Sequence, residues 1–157
     1  MRSFILIIVF TLTFYKQALG YESNDISEIK PSKRSIYRDS GIFHNGISEI
    51  KNEVTSLRHS GKKVDSFERI VFDFKEDGVP QVYAHIDSKN NKLQVDFLRT
   101  NLSRSLKPKF KSHRVREINF FPLANNVLST EILLKKNTYV VIFTLKKPSR
   151  LVIDFKN

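Results

Sequence analysis

One five-residue phrase occurs three times in this chain and constrains its fold more than any other feature. It stands at residues 70–74 (IVFDF), 93–97 (LQVDF) and 151–155 (LVIDF). Positions one, three and five are apolar, and the fourth is always Asp. Successive side chains of an extended chain point to opposite faces, so the apolar set lines one face and Asp lies on the other. The phrase therefore predicts three half-buried β-strands.

The surrounding sequence repeats this plan on a larger scale. Other strand patterns separated by polar turns stand at 79–86, 115–121, 129–134 and 139–145. Lys92–Phe97 matches Arg150–Phe155 at an offset of 58 residues. A three-stranded unit buries its apolar face only against another layer. We therefore expect an all-β domain over residues 67–157, a small antiparallel β-sandwich in which each of two similar units forms one sheet.

The first twenty residues have the composition of a signal peptide. Arg2 precedes an apolar run from Phe4 to Phe14, and Ala18-Leu19-Gly20 places small residues where a signal peptidase cleaves. The run of eleven residues is shorter than the ~20 that a membrane-spanning helix needs. This pattern predicts export to the periplasm, with no transmembrane segment after cleavage.

Residues 21–66 are polar and contain few large apolar residues, which predicts a flexible linker. Within this segment Ile47, Ile50, Val54 and Leu57 fall on one side of a helix, and Gly61 follows as a stop signal. We predict a short amphipathic helix over 47–60. It is either a transient helix in the linker or a docking element for an envelope protein.

The net charge of +11 is concentrated in one connection. Between Asp96 and Glu117 the chain has seven basic residues and no acid. Such a segment is either a solvated surface or an anion site. In the second interpretation Arg and Lys bind carboxylates of an anionic polymer, and two aromatic residues contact sugar rings. The candidate ligand-binding residues are Arg99, Arg104, Lys107, Lys109, Lys111, Arg114, Arg116, Tyr83 and Phe110.

The residues that catalysis or metal binding would need are not arranged for either role. The chain has no Cys, and its four His show no metal-ligand spacing. Asp73, Asp96 and Asp154 could in principle serve acid–base chemistry or Ca²⁺ binding. Because the same position recurs three times, we expect each carboxylate to face a cross-strand Lys or Arg instead. The sequence predicts no catalytic residues, no cofactor and no metal.

Two stretches resemble a known domain family. Residues 68–74 (ERIVFDF) and 146–155 (KKPSRLVIDF), with the strand at 80–86, are similar to the AMIN domain. That domain occurs in exported bacterial N-acetylmuramoyl-L-alanine amidases and in type IV pilus secretins. The resemblance implies a sandwich of two similar sheets that binds the cell wall.

We therefore expect an exported, non-catalytic module that binds peptidoglycan or another anionic envelope polymer. The alternative is an interaction subunit of a secretin or amidase complex, in which the 47–60 helix docks to a partner. A third hypothesis is nucleic-acid binding, with Phe110 stacking on a base between Lys109 and Lys111. Export argues against that third hypothesis, and no nucleic-acid partner is expected.

Overall fold

The computed structural model describes residues 30–61, 66–87, 89–106, 111–135 and 138–156. The predicted signal peptide lies outside these residues.

The described residues form eleven β-strands and one short 3₁₀ turn at Ala124–Asn126. In chain order the strands are β1 Arg34–Tyr37, β2 Ser40–His44, β3 Asn52–Ser60, β4 Phe67–Phe74, β5 Val82–Asp87, β6 Lys92–Phe97, β7 Thr100–Leu102, β8 Val115–Leu123, β9 Val127–Leu134, β10 Tyr139–Lys146 and β11 Ser149–Lys156.

The strands make two sheets. Sheet A has the order β1-β10-β11-β4-β3-β7, and sheet B has the order β2-β5-β6-β9-β8. Among the described strands every pairing is antiparallel except that of β3 with β7. The predicted all-β sandwich is confirmed.

The inward positions of the repeated phrase form the core between the sheets. The apolar residues at positions one, three and five of the phrase are buried in β4, β6 and β11. Phe72 of sheet A packs on Phe97 of sheet B with ring centroids 5.2 Å apart, and Phe74 meets the same ring at 5.7 Å. Aromatic side chains from facing sheets therefore close the middle of the sandwich.

The two repeat units exchange strands between the sheets, so the expectation of one unit per sheet is wrong. In the first unit the hairpin β3–β4 belongs to sheet A and the hairpin β5–β6 to sheet B. In the second unit β8–β9 belongs to sheet B and β10–β11 to sheet A. The order β10-β11-β4-β3 in sheet A thus corresponds to β5-β6-β9-β8 in sheet B. The seven residues between Phe74 and Val82 are enough to cross from one sheet to the other. β6 and β11, which match at the offset of 58, hold equivalent places.

The predicted helix over 47–60 is also wrong, because residues 52–60 form strand β3. A β-bulge shifts the register of β3 on β4 between Val54 and Ser56. Val54 is buried, and Leu57, three residues later, packs against the core. The bulge replaces the two-residue spacing of inward positions by a spacing of three, which imitates helical periodicity.

The predicted linker is wrong over most of its described length. Within residues 30–61 the chain contributes β1 to sheet A, β2 to sheet B and β3 to sheet A. β1 and β2 are edge strands, and Phe43 of β2 is buried. An edge strand needs few large apolar residues, so a polar composition does not exclude it.

We expect Phe72→Ala to lower the free energy of unfolding by about 3 to 5 kcal/mol, because it opens a cavity beside Phe97. Chemical denaturation followed by circular dichroism measures this change. Ile36→Ala is the control, since Ile36 is 61% exposed and its loss should change stability by no more than about 0.5 kcal/mol. Equal losses in both variants would contradict the position of the core.

Candidate functional site

Three arginines and two aspartates share the outer face of sheet A, which we call the arginine face: Arg58, Arg69, Arg150, Asp73 and Asp154. The register of β11 on β4 places Arg69 opposite Asp154 and Arg150 opposite Asp73. Arg58 of β3 reaches Asp73 from the other side. The three strands thus bring residues that are up to 96 positions apart in sequence into one row of charges.

The ion pairs on this face are held by hydrogen bonds of ordinary or short length. Arg69 donates from Nε to Asp154 at 2.6 Å and from Nη2 at 2.9 Å. Arg58 donates to Asp73 at 2.6 and 2.7 Å, and Arg150 Nε donates to the same carboxylate at 3.0 Å. The prediction that Asp73 and Asp154 face a basic cross-strand partner is confirmed. It is wrong for Asp96, whose opposite residue is Ser129.

These aspartates fix the arginines without covering them. The side chains of Arg58, Arg69 and Arg150 remain 52%, 37% and 30% exposed. A guanidinium has five N–H donors, and each of the three uses at most two of them on its aspartate. Three positive charges on two negative ones leave a surplus cation with donors that face solvent.

Aromatic rings hold the guanidinium planes on this face. The Arg69 guanidinium lies 5.2 Å from the ring centroid of Phe67 and 5.5 Å from that of Phe143. Arg34 of β1 lies 5.7 Å from the Phe143 ring. Such cation–π contacts restrict the arginine rotamers, so less conformational freedom is lost when a ligand binds.

A groove of about 500 Å³ runs across the arginine face. Its floor includes Val71, Val152 and Leu145, and the three arginines stand along it with His59 and Ser60. Planar guanidinium forks above an apolar floor suit a ligand with carboxylates on a partly apolar frame.

Electrostatics keep this face charged over a wide pH range. Burial alone would raise the pKa of Asp73, but hydrogen bonds from Arg58 and Ser56 outweigh it and lower the pKa from its ordinary 3.8. The hydrogen bond to Asp73 raises the pKa of Arg58, and the bond to Asp154 raises that of Arg69.

The sequence predicts the basic connection as the anion site. In the structure its residues have different environments. Arg99 donates to Ser48 and pairs with Glu49 at 2.8 Å, so it tethers the segment before β3. Arg114 is buried, with Nη1 3.9 Å from Glu68, and its prediction as a surface ligand contact is wrong.

Other members of the predicted set have different positions. Arg104, Lys111 and Arg116 are exposed and remain candidates. Lys107, Lys109 and Phe110 lie outside the described residues.

Tyr83 lies on the outer face of sheet B, and the structure does not bring it to the arginine face. Its ring stacks on His44, with centroids 5.6 Å apart and planes at 17°. His85 on the same strand is exposed.

A buried glutamate joins the basic connection to sheet A. Glu68 is fully buried, and its carboxylate accepts hydrogen bonds from the Ser112 hydroxyl and from the His113 amide at 2.7 Å. His59 Nε2 lies 3.4 Å from the same group. Burial alone would raise the pKa of Glu68, but the bonds from Ser112, His113 and Arg114 lower it from 4.5.

The arginines of this face were missed as ligand candidates for two different reasons. Arg69 and Arg150 stand four residues before the Asp of their phrases, so alternation already placed each on the Asp face. That pattern could have identified them as a set. Arg58 was hidden by the erroneous helix, since only the bulged strand turns it toward Asp73.

Comparison with protein-family models, curated proteins and solved structures finds no match. The described residues contain no cluster of His, Asp and Glu that could hold a metal ion. In the same part of the chain no helix is long and apolar enough to cross a membrane.

Stability should fall in acid because Glu68 and Asp73 have lower pKa values in the folded protein than in the unfolded chain. The unfolded chain then binds protons first, so the stabilisation is complete above about pH 4.5 and is lost as pH falls through the folded values. Denaturation midpoints measured between pH 7 and 2 check this slope.

The Glu68→Gln variant should have a shallower acid slope and about 3 kcal/mol less stability at pH 7. The exposed Glu76→Gln is the matched control and should resemble the wild type. An unchanged acid slope in Glu68→Gln would contradict the role of this carboxylate.

Proposed function

We propose that this protein is an exported, non-catalytic module that binds peptidoglycan or another anionic polymer of the bacterial envelope, as its resemblance to the AMIN domain implies. The arginine face is the observation that carries the proposal. Peptide stems of peptidoglycan carry carboxylates, which arginine recognises through paired hydrogen bonds. Export rests on the signal-peptide pattern of residues 1–20.

The rigidity of the face supports binding over an accidental cluster of charge. Each exposed guanidinium is already oriented by an aspartate, and that of Arg69 also by aromatic rings. A polymer carboxylate therefore meets donors that need little further ordering. Repetition of the polymer would let several weak contacts act together.

The basic connection is anchored to the strand that carries Arg69. Ser112 binds Glu68, which precedes Arg69 in β4 and contacts His59 at one end of the groove. Lys111, which is exposed, directly precedes Ser112. The buried carboxylate of Glu68 thus holds the connection against β4, the strand that carries Arg69.

The alternative of a docking helix loses its support, because Val54 is buried in β3 and Leu57 packs on the core. Ile47 and Ile50 are exposed, but they precede β3 and do not share a helical face with Val54 and Leu57.

We expect the mature protein to pellet with purified peptidoglycan sacculi, and Arg58→Gln to weaken that binding about tenfold. The variant removes one charged hydrogen-bond donor group, which is worth about 1.5 kcal/mol, while Asp73 keeps Arg150. Dissociation constants from sedimentation at several polymer concentrations measure the effect.

Lys89→Gln removes the same charge from the exposed turn between β5 and β6 and should bind like the wild type. A double variant Arg104→Gln/Lys111→Gln tests the connection. If the double variant weakens sacculus binding and Arg58→Gln does not, the assignment of polymer binding to the arginine face is overturned. If the wild type fails to pellet, the proposed function is overturned.

A further inference from the structure

The outer face of sheet B has the same strand plan as the arginine face but no arginine pairs. Asp96 of β6 occupies the position equivalent to Asp154 of β11. The cross-strand partner of Asp96 is Ser129, whereas that of Asp154 is Arg69. At this position the cation of sheet A is therefore replaced by a hydroxyl in sheet B. The two outer faces of the sandwich present different chemistry to solvent.

A groove of about 750 Å³ crosses this second face. Its lining is Ile42, Tyr83, Ala84, His85, Asp96, Leu98 and Val127. This set, which we call the tyrosine face, contains one carboxylate and one His, and no Lys or Arg. A carboxylate or phosphate ligand would meet Asp96 with no cation of the lining to neutralise it.

The Tyr83 ring in the lining of the groove is held by two contacts. His44 stacks on Tyr83, and Gln81 Nε2 donates to the Tyr83 hydroxyl at 2.9 Å. The hydroxyl then still has its own proton to donate. A fixed ring with a polar edge offers apolar contact and one directed hydrogen bond.

The carboxylate beside it is also oriented. The Ser129 hydroxyl donates to Oδ1 of Asp96, and Gln94 Nε2 donates to Ser129. Among the described residues no hydrogen bond reaches Oδ2. This oxygen is an acceptor on a residue that lines a largely apolar and aromatic groove.

Two exposed apolar side chains continue this face toward its edge. Phe121 lies opposite Ser129 and Leu123 lies opposite Val127, and they are 46% and 55% exposed. The row from Tyr83 through Asp96 and Ser129 to Phe121 is thus aromatic at both ends and polar in the middle.

We propose that the tyrosine face is a binding site for uncharged saccharides. A pyranose ring has apolar C–H faces that pack on an aromatic ring, and its hydroxyls donate to a carboxylate and accept from a phenol. The groove offers these partners together, and its described lining contains no Lys or Arg that would pair with an anionic ligand. This site is separate from the arginine face. Its ligand class rests on the proposed function, because Tyr83 is one of the two aromatic residues predicted to contact sugar rings of the polymer, but its test does not require sacculus binding.

The test is an NMR titration of the ¹⁵N-labelled mature protein with a soluble, uncharged N-acetylglucosamine tetramer. We expect saturable shifts of amides in β2, β5, β6 and β9, the strands that line the groove. Tyr83→Ala should weaken binding at least tenfold, and Asp96→Asn should weaken it several-fold. Tyr83→Phe keeps the ring and should retain more affinity than Tyr83→Ala.

Arg58→Gln is the matched control and should bind the tetramer like the wild type, which separates this site from sacculus binding through the arginine face. Absence of saturable shifts in a folded wild type overturns the proposal. So does tetramer binding that survives Tyr83→Ala, or a tyrosine face that shifts with protein concentration alone because it is a contact between two copies. Loss of sacculus binding with retained tetramer binding contradicts only the proposed function.

Discussion

The pairing register of the two central strand pairs determines both the core and the surfaces of this protein. β11 on β4 in sheet A, and β6 on β9 in sheet B, turn alternate residues inward as a continuous apolar layer. The same register leaves the intervening residues on the outer faces, directly opposite one another. A slip of β4 by one residue would turn Arg69 toward the core and Ile70 toward solvent. The charged pairs therefore exist only because the core specifies where each strand sits.

Alternation could be predicted from sequence because it is a property of single strands, whereas sheet membership could not. The phrase at 70–74 indicates which side chains point inward, and the structure confirms them. It says nothing about which strand lies beside β4, because strands of similar polarity can pair in several orders. The partner is decided by the crossing between Phe74 and Val82 and by the packing of both sheets. Long-range pairing of this kind leaves no local pattern.

The error at residues 47–60 has a physical cause. Val54 and Leu57 are both inward, three residues apart, because the bulge near Ser56 adds one residue to the strand. Periodicity alone cannot distinguish such a bulge from a helical turn. Arg58 was therefore not recognised as a site residue, because a residue assigned to a helix cannot be placed opposite Val71 of β4. The basic connection failed differently, because charge in a sequence does not reveal that Arg114 is buried beside Glu68.

The two outer faces indicate how one scaffold can carry two kinds of surface. Equivalent positions hold Asp154 and Asp96, but the residue across the strand is Arg69 in one sheet and Ser129 in the other. Changes confined to outward positions leave the inward apolar residues unchanged, so the packing of the core is preserved. A carboxylate beside arginine orients a cation, whereas a carboxylate beside serine remains an acceptor itself. The inward residues of the repeat thus determine its fold. The two outer faces differ because the equivalent aspartate has a different cross-strand partner in each sheet.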